Sequence, residues 1–184
     1  HAFDYVWLGL TMAALALLWT ERVADGRRRR LAVLLGVGVA AQTLSWNAAP
    51  LLLLPAGVVT VSMPLLSLDD ANARLRAVVA GLVGGAGTAG LVHLVVGWQS
   101  RSVVLATLLL ALGGLGVLGA SRVAARTRRP ALTYAVGGGA VAAGLSWAAW
   151  TQLPAVRRAL VHGVDFLQTS ADQFEMASLF TDFG

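Results

Sequence analysis

Side chains able to do chemistry are scarce in this sequence, and they gather at its two ends. The tail DQFEMASLFTDFG, residues 172–184, sets Glu175 among Phe174, Met176, Leu179, Phe180 and Phe183, with Asp172 and Asp182 on either side. A loop with so many large apolar groups docks against membrane or protein, and a carboxylate shielded in this way holds a proton or binds a cation. Just upstream lie Arg157, Arg158, His162 and Asp165; at the opposite end of the chain stands His1-Ala2-Phe3-Asp4. The absence of cysteine removes disulfide frameworks, thiolate metal sites and cysteine nucleophiles from consideration.

Between the ends, two features invite chemistry and have plainer explanations. Asp69-Asp70 could share a divalent cation, but Ser67-x-x-Asp70 fits a helix N-cap with an acid near the positive end of the helix dipole. That helix then runs through Arg74 and Arg76 into an apolar stretch. His93 lies five residues before Trp98 and reads as an interfacial or packing histidine at a helix end. The GGG at Gly137–Gly139 has no strand before it, so it is packing sequence and not a phosphate loop.

The elements that must position these residues are membrane spans. Of the 184 residues 57% are hydrophobic and 12% charged, against about 45–50% and about 25% in soluble domains. Apolar runs at 5–20, 31–46, 49–66, 77–98, 103–120 and 131–150 predict an all-α, polytopic transmembrane bundle of six helices over residues 1–150. The first two runs are short and imply tilt, local thinning or extra helix before His1. None of the six contains Asp, Glu, Lys or Arg, which argues against an ion pump, since a moving ion needs a partner at mid-membrane.

The net charge of +5 and pI near 11.2 would suggest nucleic acid if the cations formed a stripe on a soluble face. Instead they cluster in alternate loops, Glu21–Arg30, Ser67–Arg76 and Ser121–Pro130. Cationic loops stay cytoplasmic, so no nucleic-acid partner is expected, and both His1 and the tail from Thr151 are placed outside the cell membrane. Trp19, Trp46, Trp98, Trp147 and Trp150 fall near span ends, as interfacial anchors do. Gly81-x-x-x-Gly85, Gly113, Gly114, Gly116 and Gly119 predict close helix packing. Residues 151–184 form an external segment: Val156, Leu160, Val164 and Leu167 recur at helical spacing and predict an amphipathic surface helix over 155–168, followed by a loop. A start at His1 without a charged leader reads as a piece of a longer protein and not as a signal sequence.

The ends carry a resemblance. His-Ala-Phe-Asp before a span resembles the stretch that includes the second His of the Asp-His-His motif in archaeal oligosaccharyltransferase catalytic subunits. The tail, with Glu175 followed by Ala-Ser-Leu-Phe and Asp-Phe-Gly, resembles the fifth external loop of those enzymes. The resemblance implies the C-type glycosyltransferase fold and transfer of an oligosaccharide from a dolichyl phosphate or diphosphate carrier to Asn of an Asn-x-Ser/Thr sequon. An amide is a poor nucleophile, so such an enzyme employs carboxylates and a divalent metal, Mg or Mn. The resemblance makes Glu175 the catalytic loop glutamate and a metal ligand, and His1 a second metal ligand. Arg157, Arg158 and His162 are candidates for meeting the phosphates of the lipid-linked substrate. The family's loop sets Thr three residues before its Glu, where this sequence has Asp172. The early Asp-x-Asp and late Trp-Trp-Asp-Tyr-Gly motifs fall outside the sequence, so the isolated fragment is expected to be inactive. Two other readings stay open: a related transferase such as a protein O-mannosyltransferase, and a permease or structural membrane subunit without catalysis.

Overall fold

A computed structural model of the chain describes residues 2–20, 24–45, 49–66, 68–97, 99–153 and 157. Among the described residues the protein is all-helical. The elements are α1 (Ala2–Thr20), α2 (Asp25–Ser45), α3 (Ala49–Leu66), α4 (Leu68–Val96), α5 (Arg101–Ala124) and α6 (Pro130–Gln152).

The helices correspond to the six apolar runs, with informative differences at their ends. α2 begins six residues before its run, taking Arg27–Arg30 into the helix and not leaving them in a loop. Arginine is a good helix former, Asp25 sits at the positive end of the dipole, and an exposed Asp25–Arg28 ion pair of 2.9 Å spans the first turn. α4 runs unbroken from Leu68, so Asp69 and Asp70 occupy its first turn as the capping pattern predicts; Ser67 lies outside the described residues. It stops where Gly97, at φ 63°, turns its N–H back to the His93 carbonyl at 2.8 Å. α6 opens with Pro130, whose missing N–H costs nothing in a first turn.

Close contacts fix the relative directions of the helices. Gly38 lies against Thr11, and Arg74 Nη1 donates to the Trp19 carbonyl where α1 ends and α4 begins, so α1 and α2 are antiparallel. Gly36 meets Gly81 and Gly85, which makes α2 and α4 parallel. Gly114 meets Val79 and Leu82, while Gly90 meets Leu108; Gly113 meets Leu145, and Gly137 meets Ala120. Thus α4 and α5 are antiparallel, as are α5 and α6. α3 runs with α5, from Gly57 beside Leu110 to Val61, whose carbonyl accepts from Tyr134 Oη at the base of α6. The six helices therefore alternate up and down. One rim holds the starts of α2, α4 and α6 with Arg27–Arg30, Arg74, Arg76, Arg126, Arg128 and Arg129. The other holds the start of α1 and the end of α6.

The core combines Leu18, Leu35, Val78, Leu82, Val117 and Tyr134, but the outward faces are apolar as well. Val58, Leu94, Val95, Leu112, Val136 and Trp147 are all exposed, Val95 by 84%. A water-soluble bundle puts its charges on such faces; here the described arginines sit at the rims. Two helices, Ala73–Val96 and Arg101–Ala124, are long and apolar enough to cross a membrane, each 24 residues with mean hydropathy of 1.8 and 2.3. Val6–Trp19 and Pro55–Leu65 are shorter apolar stretches.

Candidate functional site

Helix alternation brings the first turn of α1 and the last turn of α6 to the same rim. Of the sequence-predicted site residues, His1, Arg158, His162 and Glu175 lie outside the described residues, as does nearly all of the predicted 155–168 helix. Arg157 is described. It is helical and exposed, its N–H bonds the Leu153 carbonyl at 3.0 Å, and its guanidinium lies 5.7 Å from the centre of the Trp150 ring. A cation held over an indole face in this way is attracted by the ring quadrupole. Asp69 and Asp70, in the first turn of α4, are at the rim opposite the start of α1 and the end of α6. Among the described residues no three His, Asp or Glu cluster in a way that could hold a metal ion.

The described residues do form a cleft. It lies between α3, α5 and α6, has a volume of about 450 Å³, and opens past the exposed Val58 and Leu65. Sites of roughly 300–1,000 Å³ bury most of a drug-sized ligand. Gly57, Gly113 and Gly114 are among its lining residues; Gly57 makes room for the Leu110 side chain and Gly113 for Leu145, while Gly114 faces Val79 and Leu82 of α4. It contains four hydroxyls, of which three are already committed, while Ser146 of α6 is exposed and has no hydrogen bond among the described residues. Thr60 Oγ1 donates to the Ala56 carbonyl at 2.6 Å, Ser62 Oγ to Val58 at 2.9 Å and Thr107 Oγ1 to Val103 at 3.1 Å. Each bonds backward to its own helix, so what these residues present to the cleft is mostly carbon.

A smaller polar knot sits nearer the rim of the chain ends. The buried Thr43 and Thr107 hydroxyls are 3.0 Å apart, joining α2 to α5, and Gln99 Nε2 donates to the Thr43 carbonyl at 3.0 Å. One residue earlier, Gln42 is fully buried with neither its carboxamide oxygen nor its nitrogen hydrogen-bonded. His93 in the last turn of α4 also has a buried Nδ1 with no hydrogen-bond partner among the described residues. The chain matches no protein-family model, no curated protein and no solved structure. Its function is therefore argued from its own residues.

Neither the cleft nor the knot was visible in the residue pattern. The glycines signalled tight packing, and those at 57, 113 and 114 do pack closely, against side chains of neighbouring helices, beside a cleft that their spelling does not announce. For the knot there was a signal: Gln42-Thr43 is a lone polar pair inside an otherwise apolar run of α2.

Proposed function

We propose that all six helices cross a membrane, and that the chain is the central membrane portion of an oligosaccharyltransferase-like glycosyltransferase, transferring glycan from a dolichyl phosphate or diphosphate carrier to sequon Asn. The observation that carries this reading is the up-down alternation, which sends both chain ends out at the rim opposite the arginine-bearing turns. Arginine-rich turns are retained in the cytoplasm, and transfer to secreted or surface protein takes place outside. Supporting it is the inside-out character of the bundle, apolar on its outer faces and cationic at one rim. Glu175 and His1 offer carboxylate and imidazole, donors that suit a divalent cation such as Mn; they are its proposed ligands. Arg158 and His162 belong to the segment that would meet the phosphate of the lipid-linked substrate.

The chain has no natural cysteine, so single cysteines report topology cleanly. Cysteines introduced at Ser178 and at Arg128 are expected to differ in intact cells: a membrane-impermeant maleimide labels the first and not the second. Labelling in the reverse pattern ends the proposal. For the chemistry, Glu175→Gln in the full-length protein is expected to abolish glycosylation of a sequon reporter. A permease or structural subunit, which the charge-free helix interiors also suit, is the reading that gains if the reporter is glycosylated as before.

A further inference from the structure

The cleft between α3, α5 and α6 is a site in its own right, and its shape, its lining and the group at its end each restrict what it can take. Along α5 it runs from Ala106 to Val117, which at the helical rise is about 16 Å. A bilayer's hydrocarbon core is about 30 Å thick, so the cleft is one leaflet deep. Of its four lining hydroxyls, those of Thr60, Ser62 and Thr107 are turned to their own backbones and Ser146 alone is left to meet an occupant, so an occupant with polar groups along its length would bury most of them unpaired. At its α6 end the lining finishes at Leu153, whose carbonyl accepts from the Arg157 N–H one turn on. The Arg157 guanidinium lies 5.7 Å from the centre of the Trp150 ring. An apolar slot one leaflet deep, with a cation on an indole one turn beyond its α6 end, matches one hydrocarbon chain joined to an anionic head.

From this we infer that the cleft holds one chain of an anionic bilayer phospholipid, with its phosphate at Arg157. The inference rests on the six-crossing reading of the bundle but not on the transferase chemistry, so cysteine topology and reporter glycosylation can succeed where it fails. The test is native mass spectrometry of the chain in micelles containing equal amounts of phosphatidylglycerol and phosphatidylcholine of one chain length. Wild type is expected to retain phosphatidylglycerol about five-fold over phosphatidylcholine, the bias one arginine gives near a charged headgroup. Arg157→Gln, at an exposed position, should bring the two lipids to parity while a lipid stays bound. Ala142→Trp, which fills the cleft, should strip the lipid, and Ala149→Phe should do the same should the first variant lose its helical circular dichroism. Equal retention by wild type and both filled variants overturns the inference, as does an unchanged preference in Arg157→Gln. Recovery of a polyprenyl phosphate, or of a second copy of the chain crosslinked into the cleft, overturns it in favour of that occupant.

Discussion

The seam between α2 and α4 and the cleft between α3, α5 and α6 are both built with glycine, and they use it to opposite ends. At the seam, Gly36, Gly81 and Gly85 let two parallel helices touch backbone to backbone. A methyl at Gly85 would fall 2.6 Å from the Gly36 carbonyl oxygen and 2.8 Å from Val39 Cβ, and one at Gly81 2.7 Å from the Ala32 carbonyl oxygen. At the cleft, the atom nearest a methyl on Gly113 is Leu145 Cδ1, and on Gly57 it is Leu110 Cδ1. Backbone cannot yield without moving a helix, whereas the end of a leucine can change rotamer into neighbouring space. On the proposed six-crossing reading the helices meet in lipid, where no hydrophobic effect drives them together and close packing of this kind is what holds them. The seam should therefore carry stability and the cleft should carry adaptability.

The sharpest way to break that comparison is Gly85→Ala. Overpacking a filled interior costs about 1–3 kcal/mol, and with a carbonyl as the obstacle Gly85→Ala should fall at about 3 kcal/mol, read as a lowered midpoint in denaturant titration in micelles. Gly84→Ala is the control one residue away: a methyl there meets nothing within 4 Å, and alanine is the better helix former by about 0.5–1 kcal/mol. If the two substitutions destabilise alike, the seam is not where α2 and α4 are held.

Near the same seam, Gln42 tests whether its close packing extends toward the chain-end rim. Burying a carboxamide unpaired costs about 1–3 kcal/mol, so Gln42→Leu, similar in volume and free of polar atoms, is expected to raise stability by about that amount. A fall in stability would mean that the carboxamide is bonded, by water or by a partner, in the folded protein. On the cleft side, Gly113→Ala should cost less than about 1 kcal/mol, since Leu145 can turn away and alanine gains helix propensity. A loss as large as that at Gly85 would show the cleft walls to be as rigid as the seam.

These differences mark where the sequence was readable. Six apolar runs, their tight turns and the arginine bias gave six helices in the right places, because span length and helix rise leave few alternatives. The missed ends of α2 and α5, at Arg27–Arg30 and Arg122, follow from arginine's helix propensity, which lets a helix run beyond its apolar stretch. The predicted Gly81-x-x-x-Gly85 contact is present, yet nothing in the spelling of Gly113-Gly114 told it apart from the seam. Only the third dimension shows whether a glycine faces a carbonyl, a leucine or open space. Of the candidate site, an even number of apolar runs already set the start of α1 and the end of α6 at one rim, while Glu175, His1, Arg158 and His162 fall outside the described residues. The committed hydroxyls of the cleft could not have been read from Thr and Ser alone, since bonding to the carbonyl one turn back is a rotamer choice.

Thr107 belongs to both regions and gives the smallest and most diagnostic effect. It lines the cleft from α5, while its hydroxyl meets Thr43 of α2 at 3.0 Å and donates to Val103 at 3.1 Å. Thr107→Val keeps the shape and removes the hydroxyl. Thr43 then still donates to the Val39 carbonyl at 2.7 Å, so no buried donor is orphaned, and the loss should be about 0.6 kcal/mol, the mean for hydrogen bonds between helices in a membrane. A double-mutant cycle with Thr43→Val isolates the contact: a coupling near that value makes the pair a modest tie between seam and cleft. A coupling near zero would mean that each hydroxyl serves only its own helix, and that α2 and α5 meet there by packing alone.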